Sequence, residues 1–192
     1  MKEETSLDAA IHEPVELSPH DPAWARKFLE EKQRLLAAFP GVFLDLQHIG
    51  STAVAGLPAK PVIDLLAGVA SMEVARALSE PLCRFGYTTS PEFNASLADR
   101  QWFMRWAGGR RTHHLHVVVY AEDAWRERIA FRDGLRLDPE LARRYVTLKQ
   151  ALAVTHRNDR EAYTGAKSTF IRSTLGARGC MPGIPGAGPV RN

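Results

Sequence analysis

The chain has 192 residues, 45% hydrophobic and 24% charged, a globular composition with enough length for one buried core. A net charge of +3 and a pI near 9.0 suit a small anionic ligand and exclude a protein dominated by basic charge. Cys83 and Cys180 lie outside any C-x-x-C pair, which excludes a zinc-knuckle or disulfide framework.

No apolar run approaches the roughly 20 residues of a membrane span, and the first residues carry no apolar signal segment. A cytoplasmic protein is expected. Residues 1–12 read as a flexible leader and Val15–Leu17 as a short edge strand. Asp21 then offers an N-cap and Pro22 a first helical position. Trp24, Phe28, Leu35 and Leu36 recur at helical spacing until Gly41.

"VFLDLQHI" (42–49) reads as a strand, and "PVIDLLAGV" (61–69) as a central strand covered on both faces. A helix capped by Ser71 follows, with Pro81 set to kink or end it. Tyr87 to about Thr89 reads as a short strand and "SPEFNASLADR" as turns. "QWFMRWA" (101–107) and "THHLHVVVYA" (112–121) form a hairpin across Gly-Gly. Three helices are expected over 122–137, 138–157 and 158–176, and a Gly/Pro-rich disordered tail over 176–192. The fold class is therefore α+β: a mixed sheet with helices over 13–121, then a helical segment over 122–175.

The chemistry gathers in "HIGSTAVAGLPAKPVIDLL" (48–66) and "HHLHVV" (113–118). Gly50, Ser51 and Thr52 form a turn whose backbone N–H groups and hydroxyls suit phosphate oxygens, and Lys60 follows within reach. Asp64 is a lone carboxylate inside an apolar run. His114 and His116, two apart on a strand, face the same way, and His48 precedes the turn. Asp64 with these imidazoles would hold one divalent metal; hydrogen-bonded structural histidines are the alternative.

"YVTLK" and "YTGAK" place Tyr145 and Tyr163 one helical turn before Lys149 and Lys167. The lysines either converge on a phosphate ligand or snorkel from a half-buried core. The tyrosines either contact that ligand or belong to the core. Arg111, beside Arg110 and near Arg105, offers a bidentate phosphate contact near the hairpin tip. Arg132, Asp133 and Arg136 of "FRDGLR" read as an ion-pair network fixing their helix.

These five ordered segments together resemble the GrpB family over roughly residues 13–175. The resemblance implies a nucleotidyltransferase-like fold, which also occurs as the C-terminal domain of some dephospho-CoA kinases. Such proteins carry Gly-Ser, then Asp-x-Asp on a strand, then a later carboxylate. Gly50, Ser51 and Asp64 match this pattern, but the second acid position is Leu66. A two-metal site needs more than one aspartate. The expectation is a nucleoside triphosphate or related phosphate ligand with divalent Mg, Mn or Zn. The protein either transfers a nucleotidyl or phosphate-linked group, or binds and senses without turnover. Basic residues interleaved with acids make a nucleic-acid partner a poor fit.

Overall fold

The structure is a computed structural model that describes residues 14–157 and 159–177. The expected leader and the tail beyond Ala177 lie outside the described residues. α1 (Ala23–Ala38) opens where Asp21 accepts the Ala23 N–H at 2.9 Å. β1 (Asp45–Ile49) leads through Gly50 into a single 3-10 turn, Ser51–Ala53. β2 (Ile63–Val69) follows.

The helix expected after Ser71 is two short ones, α2 (Met72–Ala77) and α3 (Ser79–Arg84). Pro81 has no N–H to give the Ala77 carbonyl and its ring crowds that group, so the helix breaks at Leu78 and Pro81 lies in the first turn of α3. α4 (Pro91–Ala95) lies where turns were expected. Ser90 accepts the Phe93 N–H and Pro91 starts the helix, a cap signal short enough to read as a turn.

β3 (Gln101–Ala107) and β4 (Arg110–Val119) form the expected hairpin. Gly108 and Gly109 take φ of 60° and 75° in its two-residue turn, a conformation that glycine adopts without penalty. α5 (Asp123–Leu137), α6 (Pro139–Thr155) and α7 (Arg160–Ala177) complete the chain. The Asp138 carboxylate accepts two N–H groups at the start of α6. The expected strand at Val15–Leu17 reduces to one bridge, Ser18 with Ala59. Pro14 and Pro19 flank it and remove ladder donors.

The sheet order is β1-β2-β4-β3. β2 and β4 are parallel, and the outer pairs are antiparallel. One face packs under α1, α2 and α3 through Leu46, Leu65, Leu115 and Val117 against Trp24, Leu35, Ala75 and Leu82. The other carries Ile49, Leu66 and Val118 against Trp125 of α5. A third apolar cluster joins α5, α6 and α7 to Val54 and Leu57, just past the 3-10 turn. No helix among the described residues is long and apolar enough to cross a membrane.

Candidate functional site

Strand register assembles the site. Asp64 on β2 lies opposite His114 on β4, and Leu66 lies opposite His116. Alternation therefore puts Asp64, His114 and His116 on the α5 face. Their ligand-type atoms all fall within 4.8 Å of one another, and they form the candidate metal-holding group among the described residues. His114 Nδ1 lies 2.9 Å from Asp64 Oδ1. An ionised carboxylate only accepts, so Nδ1 carries the proton in this bond.

Burial is the largest influence on Asp64 and opposes its ionisation, but the His114 hydrogen bond and the charges of His114, His116 and Lys167 together outweigh it and hold the carboxyl below its usual range. Burial pushes His116 down to about 3, so its imidazole is neutral. Its Nδ1 is buried with no hydrogen-bond partner. A neutral buried imidazole with an unsatisfied nitrogen beside an ionised carboxylate is a donor set that a divalent transition metal fits.

Gly50 is the roof of the cluster. Its φ is +70°, and a Cβ there would stand 2.3 Å from Asp64 Oδ2. The Gly50 turn is held from two sides. Arg132, buried at 7%, donates to Gln47 Oε1 (2.8 Å) and the His48 carbonyl (3.1 Å) while forking onto Asp133. Arg136 donates to the Ala53 carbonyl through Nε and an Nη at 3.2 and 2.8 Å. The expected ion-pair network exists, and it grips the turn as well as its own helix.

From below, Lys149 donates to Ser51 Oγ (3.0 Å) and the Pro58 carbonyl (2.6 Å). Lys149 is only 2% exposed, and burial, helped by the Lys167 charge, lowers it to about 8. Tyr145 also hydrogen-bonds Ser51, and burial pushes its hydroxyl up. It packs between Phe131 and Phe170. Lys149 and Tyr145 are thus core supports of the turn. Lys167 stands over the Tyr163 ring at 4.3 Å, partly exposed, with its charge felt at Asp64. Tyr163 is buried.

His48 is a correction to the expected metal set. It sits opposite Leu65, so it faces α1, where it stacks on Phe28 at 4.8 Å. Its Nε2 lies 3.0 Å from Thr52 Oγ1, which donates to the Val62 carbonyl. Thr52 is buried within this chain of bonds. Arg111 pairs with Trp106 across β3 and β4, past a register shift at Arg105 and Trp106, and is buried rather than displayed on the hairpin tip. Lys60 is partly exposed in the loop before β2, where its carbonyl accepts the Val62 N–H.

Sequence reasoning passed over the β3 side of the cluster. The Trp102 ring lies 5.4 Å from that of His114, and Phe93 meets Trp102 edge-on at 5.5 Å. Arg100 and Arg128 share the Asp99 carboxylate at 2.9 and 3.6 Å. A signal was present: Arg128, Arg132 and Arg136 recur every four residues, one arginine stripe along α5.

The sheet, its two helical covers and the carboxylate–imidazole cluster define an α+β protein with a polar site on the α5 face. A protein-family model described as GrpB protein matches residues 14–176. The UPF0157 protein YqkA of Bacillus subtilis is 35% identical over 159 residues, which are 83% of this chain and 46% of YqkA. The chain thus spans about half the length of that relative. The glutamate-rich protein GrpB of Alkalihalophilus pseudofirmus is 36% identical, covering 84% of this chain and 94% of its own. The crystal structure of GrpB from Enterococcus faecalis superposes with a TM-score of 0.74 at 34% identity, over 84% of this chain and 96% of that one. A dephospho-CoA kinase of Mycolicibacterium paratuberculosis is 29% identical over 83% of this chain and 44% of its own length. The chain belongs to the GrpB family.

Proposed function

We propose that this chain is a nucleotidyltransferase-like protein of the cytoplasm. It binds a nucleoside triphosphate or a related phosphate ligand and transfers a nucleotidyl or phosphate-linked group to a small acceptor. The observation that carries this reading is the Asp64–His114–His116 cluster roofed by Gly50. These three residues would hold one divalent ion, and zinc or manganese suits two imidazoles and a carboxylate better than magnesium. Such an ion supplies Lewis-acid polarisation of a phosphoryl oxygen. Lys167 adds positive charge beside Asp64. In the transfer, an acceptor oxygen bonds to the α-phosphorus, pyrophosphate leaves with the bonding pair, and the acceptor's proton passes to solvent.

A second reading is a nucleotide- or coenzyme-binding module without turnover. Leu66 favours it. The place of a second carboxylate is fully buried among Ile49, Val118 and Trp125. The relatives named as dephospho-CoA kinases agree with a phosphate-bearing ligand under either reading.

Calorimetry with ATP, GTP, CTP and UTP tests both, with magnesium, manganese, zinc or chelator, on wild type and Asp64→Asn. Metal-dependent binding that disappears in the variant supports the site, and pyrophosphate release then separates transfer from sensing. Binding that ignores both metal and variant overturns it.

A further inference from the structure

The corner of the site beyond His116 has charge and shape that the metal cluster does not use. Trp102 pairs with His116 across β3 and β4, so both side chains stand on the α5 face. Asn94 fixes the Trp102 backbone by accepting its N–H at 2.8 Å and donating to its carbonyl at 3.2 Å. The indole is thus a rigid, partly exposed plate with Phe93 against its edge. Arg100 immediately precedes β3, two residues from Trp102. Arg128 reaches the same place from α5 and donates to the Ala124 carbonyl on its own helix.

Their side chains are 28% and 22% exposed, and the one carboxylate they share, Asp99, is 47% exposed. Glu127 neighbours Arg128 in sequence and its charge reaches it, but among the described residues only Asp99 ion-pairs with Arg128. Two guanidiniums largely withdrawn from water and facing one carboxylate leave positive charge under-compensated. Guanidinium forks match carboxylate and phosphate oxygens.

We propose that this corner seats a second, acidic ligand. Its carboxylate or phosphate pairs with Arg100 and Arg128, and its carbon frame lies on Trp102 beside the cluster. Resting on the function proposed above, this makes the acceptor an acid and sets it on the β3 side of the cluster, away from the Gly50 turn. Asp99 then acts as a spacer that holds the two guanidiniums together.

The test uses the full chain labelled with 5-fluorotryptophan. Its four tryptophans give separate fluorine resonances, and Trp102→Phe identifies the one of interest. Phosphate, pyrophosphate, succinate and citrate are titrated at constant ionic strength, with chloride as the control. The Trp102 resonance should shift saturably with either the phosphates or the carboxylates, which names the class. Arg100→Gln with Arg128→Gln should weaken that response by about tenfold or more. Arg100→Gln alone, outside the helices, serves if the double variant fails to fold.

Asp64→Asn should leave the response in place. No shift, an equal shift with chloride, or a shift that survives the arginine changes overturns the inference. A response lost in Asp64→Asn but kept in the arginine variants puts the anion on the metal site. That outcome sinks the second subsite and leaves the proposed function standing.

Discussion

Gly50 and Asp64 are shaped to each other: the α-carbon of one closes over the carboxylate of the other, with no room for a methyl group between them. Two demands meet at residue 50, a left-handed φ and the close approach. Gly50→Ala should therefore lose about 1–3 kcal/mol of stability from backbone strain and overpacking. It should also displace Asp64 from His114. Thermal unfolding checks the first, and zinc calorimetry at the site checks the second. Wild-type binding by the variant would show that the Gly50–Asp64 fit is incidental.

The Leu66 position can be asked directly whether it tolerates an acid. Leu66→Asp would bury a carboxylate among Ile49, Val118 and Trp125. A loss of about 3–5 kcal/mol in urea unfolding is expected. Added magnesium or manganese should not recover it. Recovery by metal would mean that a two-metal site is latent in this sheet.

Lys149→Met keeps the aliphatic stem and removes the ammonium from Ser51 and the Pro58 carbonyl. Two partly buried acceptors lose their donor, so about 1–3 kcal/mol should be lost. Hydrogen exchange of the 51–58 backbone should quicken more than that of β4. Uniform loosening would argue against Lys149 as a local support.

Acid should destabilise the fold through buried histidines on both faces of the sheet, His116 at the site among them. Burial pushes both His48 and His113 down to about 4. Both are neutral when folded, and both regain an ordinary pKa near 6.5 on unfolding. Between about pH 4 and 6.5 the unfolded chain holds more protons, so stability rises with pH and levels off above that window. Each contributes a loss of roughly 2 kcal/mol at pH 5. His48→Gln and His113→Gln should each flatten the dependence, measured as urea midpoints from pH 4 to 7. An unchanged slope in both would assign the acid response elsewhere.

Strand period and turn chemistry made the hairpin, β2 and the three C-terminal helices legible, because each is written in local residues. α4 was not, because a five-residue helix and a turn share Ser, Pro and Asn. Parity along β4 placed His114 and His116 together correctly. Parity also decides His48, but only once β1 is registered to β2. That register is a long-range fact, and it turns the imidazole to Phe28. The tyrosine–lysine pairs show the same limit. Spacing put Tyr145 beside Lys149, while only packing revealed that this pair faces the underside of Ser51.

The grip of Arg132 and Arg136 on the His48 and Ala53 carbonyls makes residue 121 a poor place to cut the chain. A fragment ending there would keep all four strands and the whole carboxylate–imidazole cluster. It would lose the clasps on the Gly50 turn and the lysine beneath it. The two halves are therefore parts of one instrument: the sheet carries the reactive groups, and the helices hold them to tolerance.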